Sequence, residues 1–248
     1  MTLDLSELAL VVTVFALAGI VKGVIGLGLP TIAMGLLGAL MTPSQAAAIL
    51  VVPALLTNVW QMWDGPALKM LLRRLWSMLA CALLGTLPAA GILTKANVRL
   101  TTALLGGVLM VYALIGLSGF EFRVSRRAEP ILGPLIGLTT GLINGATGIF
   151  VVPGVPYVQA LSLGKDELVQ ALAISAFVSS VALALGLGLN KGLGGAVAVP
   201  AMIALVGAFV GMAIGKALRS KLSIIAFRRW VFIGLFALGV GMLARLFL

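Results

Sequence analysis

GIVKGVIGLGLP, Gly19 to Pro30, sets one lysine and four glycines inside an apolar run that otherwise reads as a membrane helix. A second stretch, GLINGATGIFVVP, Gly141 to Pro153, repeats the pattern. Gly19 aligns with Gly141, Gly23 with Gly145 and Gly26 with Gly148, while Lys22 falls opposite Asn144. Where a helix breaks inside a bilayer, its freed N–H and C=O groups must face protein or a water-filled cavity, because lipid satisfies neither. Glycine-interrupted short segments at matching positions of two halves therefore point to a binding site between repeats.

Composition agrees with a membrane setting. Of 248 residues, 61% are hydrophobic and 10% charged, and the mean hydropathy is +1.21, well above what a soluble core requires. Apolar runs of about 17 to 25 residues recur throughout, each long enough as a helix to cross a hydrocarbon layer of about 30 Å. The amino terminus carries Asp4 and Glu7 in place of a basic leader region and reads as a retained first helix. The net charge of +10 sits in short loops, where membrane topology accounts for it and nucleic-acid binding is not needed. With one cysteine, Cys81, and no histidine, the chain cannot form an internal disulfide, a histidine-ligated metal site or a Ser-His or Cys-His catalytic pair. No enzyme activity, metal or cofactor is expected.

Gly, Pro and charge divide the first half into segments near 7–21, 29–41, 45–62, 69–93 and 98–118, and the second near 131–145, 150–162, 168–189, 194–216 and 224–246. Residues 1–120 form a first repeat, 121–130 a cytoplasmic linker and 131–248 a second repeat. The small-residue ladder Cys81, Gly85, Ala89 parallels Gly207, Gly211, Gly215, a spacing that lets membrane helices pack closely. Lysine and arginine in short loops favour the cytoplasm, which decides how the halves are oriented. If the broken unit goes in and comes back, Lys69, Arg73, Arg74, the linker arginines and the Lys216 to Arg229 cluster fall on one side. Lys95, Arg99, Lys191 and Arg245 then fall on the other. The expected fold is thus an all-α polytopic membrane protein of two inverted-topology repeats. Each has a broken or re-entrant first unit plus three further helices, about 8 to 10 membrane segments in all. Charge does not separate a re-entrant hairpin from two full spans.

Segments 7–21, 29–41, 131–145 and 150–162 are each short for a full span. Pro30 and Pro153 mark the starts of the second pieces, since proline suits the first turn of a helix. Helix starts offer free N–H donors and a positive dipole end, which suit an anion. Lys22 adds a full charge, which costs roughly 2.5 to 3.5 kcal/mol near the bilayer centre and asks for a partner. It either faces an anion, with Asn144 as a neutral donor from the other half, or snorkels to an interface, which a helix from residue 5 brings within reach after about 26 Å. The expected substrate-binding set is Lys22, Gly23, Gly26, Gly28, Asn58, Asn144, Gly145, Gly148 and Ser179, with Asn58 and Ser179 at similar positions in the third segment of each half. The glycines at Gly19, Gly23, Gly141 and Gly145 equally fit close helix packing. Trp60, Trp63, Trp76 and Trp230 read as interface anchors.

The two motifs, GIVKGVIGLGLPTIAMGLL and GLINGATGIFVVPGVPYVQAL, are each followed by an amphipathic junction, TPSQAAA and GKDELVQALAIS. Together they resemble the TauE/SafE family of sulfite-exporter-like membrane proteins over essentially the whole chain. The matching positions are Gly19, Lys22, Gly23, Gly26, Gly28 and Pro30, then Gly141, Asn144, Gly145, Gly148 and Pro153, the second motif carrying one extra residue before its proline. The resemblance implies a secondary transporter in the bacterial inner membrane, exporting sulfite or an organosulfonate by alternating access. An anion channel of the same fold and a non-transporting scaffold are the other readings. The partners expected are a small anion, the lipid bilayer and, in one assembly, a second copy of the chain as a homodimer. Both termini are expected on the periplasmic side.

Overall fold

The computed structural model describes residues 4–119, 123–193 and 197–245. These form ten helices: α1 Leu5–Ile25, α2 Leu29–Gly38, α3 Pro43–Trp63, α4 Leu68–Lys95, α5 Val98–Ser118, α6 Glu129–Thr147, α7 Gly154–Gln159, α8 Lys165–Leu189, α9 Ala198–Leu218 and α10 Ile224–Ala244. Among the described residues seven of them, α1, α3, α4, α5, α8, α9 and α10, are long and apolar enough to cross a membrane. Glu121 and Phe122 of the expected linker, and residues 194 and 246 that bound two expected segments, lie outside the described residues.

Two expectations about the broken units change. Segment 7–21 is not short: α1 continues through Lys22 and Gly23 to Ile25, and α6 runs to Thr147. The breaks lie at the ends of these helices. Each ends on a glycine in the left-handed region, Gly26 at φ +86° and Gly148 at φ +75°, a conformation that costs glycine no steric clash. The Gly26 amide donates to the Lys22 carbonyl at 2.7 Å and that of Gly148 to the Asn144 carbonyl at 2.7 Å. The second pieces are shorter than expected. At 1.5 Å per residue α2 is about 15 Å long and α7 about 9 Å, so neither spans a bilayer. Residues 149–153 are not helical, and proline 153 is the N-cap residue of α7, whereas Pro30 lies in the first turn of α2.

Chain direction follows from residue pairs that rise or fall together. Lys22 meets Thr57 and Asn58, and Gly26 meets Gln61, so α1 and α3 run parallel and α2 turns back between them. In the second half, α8 and α6 both run parallel to α4, so α7 returns likewise. Gln170 reaches Ala67 and Gly186 meets Ala90, while Gly137 meets Met78 and Gly145 meets Thr86. α5 and α10 are antiparallel, with Gly106 against Met242 and Gly116 against Phe232.

The most intimate pairings cross between halves: α1 packs along α9, and α4 along α6. Small residues set both. A Cβ added at Gly211 would lie 2.1 Å from the Ala16 oxygen, and one at Gly215 2.3 Å from that of Ile20. On the other pair, Gly137 and Gly141 would each bring a Cβ to 2.1 Å from the Met78 and Ala82 oxygens. Such backbone-to-backbone approach is how membrane helices gain dispersion energy where lipid offers no hydrophobic drive.

The basic residues separate by face. Of the 17 lysines and arginines, Lys95, Arg99, Lys191 and Arg245 lie at the end of the bundle that holds the starts of α1 and α5 and the end of α10. Lys22 is internal, and the rest lie at or near the opposite end. Trp60, Trp63, Trp76 and Trp230 are all strongly exposed and sit toward that basic end, as residues of a headgroup belt would.

Candidate functional site

At the first break Lys22 is 4% exposed, so it does not snorkel. Its Nζ donates to Thr57 Oγ1 at 3.0 Å and to Asn58 Oδ1. The Thr57 hydroxyl donates in turn to the Pro53 carbonyl at 2.7 Å, which leaves its oxygen free to accept from lysine. Gln61 Nε2 donates to the Gly26 carbonyl at 2.8 Å and ties the left-handed turn to α3. Asn58 to Trp63 is five residues, so the lysine sits about 7.5 Å from the end of α3. It lies nearer the basic face than the midplane.

An ammonium has three donors, and here two meet neutral oxygens. No carboxylate pairs with it: among the described residues the one ion pair is Arg74 with Glu129. Asn58 is 2% exposed, and its Nδ2 has no hydrogen-bond partner. Rotating that amide would turn its N–H groups toward the ammonium, so the free donor stays where it is. Buried donors without partners are rare in native structures and call for an explanation. The Thr31 hydroxyl in the first turn of α2 and the Thr140 hydroxyl beside Gly154 at the start of α7 are also buried and unpartnered.

The second break is built on the same plan without the charge. Asn144, 2% exposed, donates through Nδ2 to the Ser179 carbonyl at 2.9 Å and to Thr86 Oγ1 at 3.3 Å. Thus the structure brings Lys22 together with Asn58, and Asn144 together with Ser179, each within its own half. The breaks still meet. Pro30, Asn144, Gly148, Phe150 and Ser180 line one cavity of about 10 Å³, room for a single water, and Lys22 is not in its wall.

The glycines divide into two jobs. Gly26, Gly28 and Gly148 hold positive φ at the breaks. Gly23 and Gly145 face helix backbone instead: an added Cβ would lie 2.5 Å from the Met212 oxygen and 2.4 Å from that of Thr86. Thr57 and Thr86 escape sequence reading, because a threonine in an apolar segment ordinarily bonds its own helix; adjacency to Asn58 and to the Gly85 ladder position is the only signal.

No curated protein and no solved structure matches the chain. A model of the family described as sulfite exporter TauE/SafE matches residues 11–242. The match takes in both glycine breaks, the buried lysine and all or nearly all of each of the seven helices long enough to cross a membrane, and the chain belongs to the sulfite exporter TauE/SafE family of membrane transporters.

Proposed function

We propose that this protein is a secondary transporter that exports a small sulfur-containing or organic oxyanion, sulfite or an organosulfonate, across the bacterial inner membrane by alternating access. The observation that carries the reading is the buried Lys22 ammonium, without a carboxylate, beside the unpartnered Nδ2 of Asn58. Lys22 gives two of its three donors to neutral oxygens and meets no described carboxylate, so its charge lacks an internal counter-ion and suits an anion that enters and leaves. The unpartnered Thr31 hydroxyl in the first turn of α2 and the Thr140 hydroxyl beside the start of α7 add a donor at each break.

The antiparallel pairing of α5 with α10 and of α3 with α8 supports an inverted relation between residues 1–120 and 131–248. The concentration of basic residues at one face supports a cytoplasmic assignment of that face, which puts both termini in the periplasm. The single-water cavity between the breaks fits a closed state, from which rocking of one half against the other opens the site to either side.

The test is flux of labelled sulfite and of methanesulfonate in proteoliposomes. Wild type should show saturable flux and counterflow acceleration, and Lys22→Ala should abolish both. Unchanged flux in Lys22→Ala removes the lysine from the mechanism; flux without counterflow assigns a channel.

A further inference from the structure

We propose a second anion site at the face opposite the main basic cluster, selective for an oxyanion that carries a small organic group. A cavity of about 410 Å³ opens there between the end of α2, the starts of α3 and α5 and the end of α10. Its polar wall holds Arg99, Arg245, Thr42 and Thr102, and Leu40 and Met41 form an apolar wall. Among the described residues, no acidic residue lines it. The volume lies in the range of small-molecule sites, roughly 300 to 1,000 Å³.

The placement of the arginines is the telling feature. Only four of the 17 basic residues lie at this face, and two of the four share this one cavity. Neither forms an ion pair with a described carboxylate. Arg245 is positioned by a 2.7 Å bond from Nη1 to the Ala39 carbonyl, which uses one of its five donors and leaves the planar fork available. Two guanidinium groups match the oxygens of a sulfonate, carboxylate or phosphate bidentately. The apolar wall has no role for a bare inorganic ion but suits an alkyl or glyceryl substituent. Two sources offer that chemistry: a free organosulfonate, and the phosphate of an anionic lipid headgroup. α2 starts at the Lys22 break and ends at this cavity. The site rests on the cavity itself and is independent of the role of Lys22.

Phenylglyoxal labelling of arginines, read residue by residue by mass spectrometry on the full chain in nanodiscs, tests it. In phosphatidylcholine discs, methanesulfonate should slow labelling of Arg99 and Arg245 at least threefold relative to chloride at equal ionic strength, and leave Arg219 at the other face unaffected. Protection absent with methanesulfonate but present in discs containing phosphatidylglycerol, again confined to Arg99 and Arg245, assigns the site to lipid. Arg99→Gln, a side chain with no hydrogen bond to lose, should reduce protection of Arg245 in whichever arm shows it. No protection in either arm, or equal protection of Arg219, overturns the proposal. Anion flux through wild type or Lys22→Ala does not enter this readout, so failure here is distinct from failure of the transport reading.

Discussion

Gly141→Ala tests whether close approach of α4 and α6 holds the two halves together. The new Cβ would lie 2.1 Å from the Ala82 oxygen, 2.9 Å from its carbonyl carbon and 3.0 Å from its Cα, all backbone atoms that no rotamer change can move aside. Relief requires the helices to separate by about 1 Å, and a gap of 0.5 to 1 Å forfeits about a quarter to a half of each dispersion well along the seam. Overpacking of this kind costs about 1 to 3 kcal/mol, and a backbone neighbour places it toward the upper end. Alanine recovers about 1 kcal/mol of helix propensity, which leaves a net loss of about 2 kcal/mol. For a chain of this size that lowers the melting midpoint by about 4 to 8 °C. Gly107→Ala is the matched control: its Cβ would meet nothing within 4 Å, so propensity acts alone and the midpoint should rise by about 2 to 4 °C. Both are read by thermal unfolding in one mild detergent. A Gly141→Ala protein that melts at or above Gly107→Ala refutes the packing argument.

Asn58→Asp should place a permanent counter-ion on Lys22, so that flux falls at least tenfold while the melting midpoint holds or rises; retained flux would show that the ammonium does not meet the substrate. Arg74 makes a bidentate pair with Glu129, at 2.8 and 2.6 Å, and donates to the Leu161 carbonyl at 2.9 Å with both side chains 13% exposed. A double-mutant cycle of Arg74→Gln and Glu129→Gln should give a coupling of about 1 to 2 kcal/mol, and a value near zero would reduce the pair to a solvated contact. Gln170 bonds the Ala67 amide and the Met62 and Gly65 carbonyls, at 2.8 to 2.9 Å. Gln170→Ala should cost about 2 to 3 kcal/mol and raise amide exchange across the α3–α4 turn; unchanged exchange there would remove it as the brace of that turn.

What the sequence made legible was what backbone chemistry enforces. A left-handed helix end needs glycine, so Gly26 and Gly148 mark the breaks, and contact between helix backbones needs missing side chains, so the Gly207 to Gly215 ladder reads correctly as packing. Both are local rules. The features that stayed hidden depend on partners distant in sequence. Lys22 stays buried because Thr57 and Asn58 supply oxygens from 35 and 36 residues away, partners that its own stretch of sequence does not reveal. Periodicity likewise gives no sign that 149–153 are non-helical, since Ile149 to Val152 is an apolar run that could extend a helix. It is buried throughout, just after Gly148, which Met34 of α2 covers. Arg99 and Arg245 stand far apart in the chain, and only the antiparallel fit of α5 and α10 makes them neighbours of one cavity.

The two breaks share a backbone plan and differ in what they leave unused. Asn144 spends its amide donors on the Ser179 carbonyl and the Thr86 hydroxyl, both fixed groups of its surroundings, so the second break is electrically neutral and closed. Lys22 leaves a donor over, and so does Asn58 beside it. On the proposed transport reading, one charge in one half suits an anion in transit. A cation at position 144 as well would add a second desolvation cost, and two charges would hold an anion too tightly to release it, whereas conduction needs binding that is favourable yet reversible. The same reading gives a reason for an amide at Asn58. A carboxylate there would neutralise Lys22 from within and stabilise the fold, at the expense of the unmatched donor pair on which an anion could act.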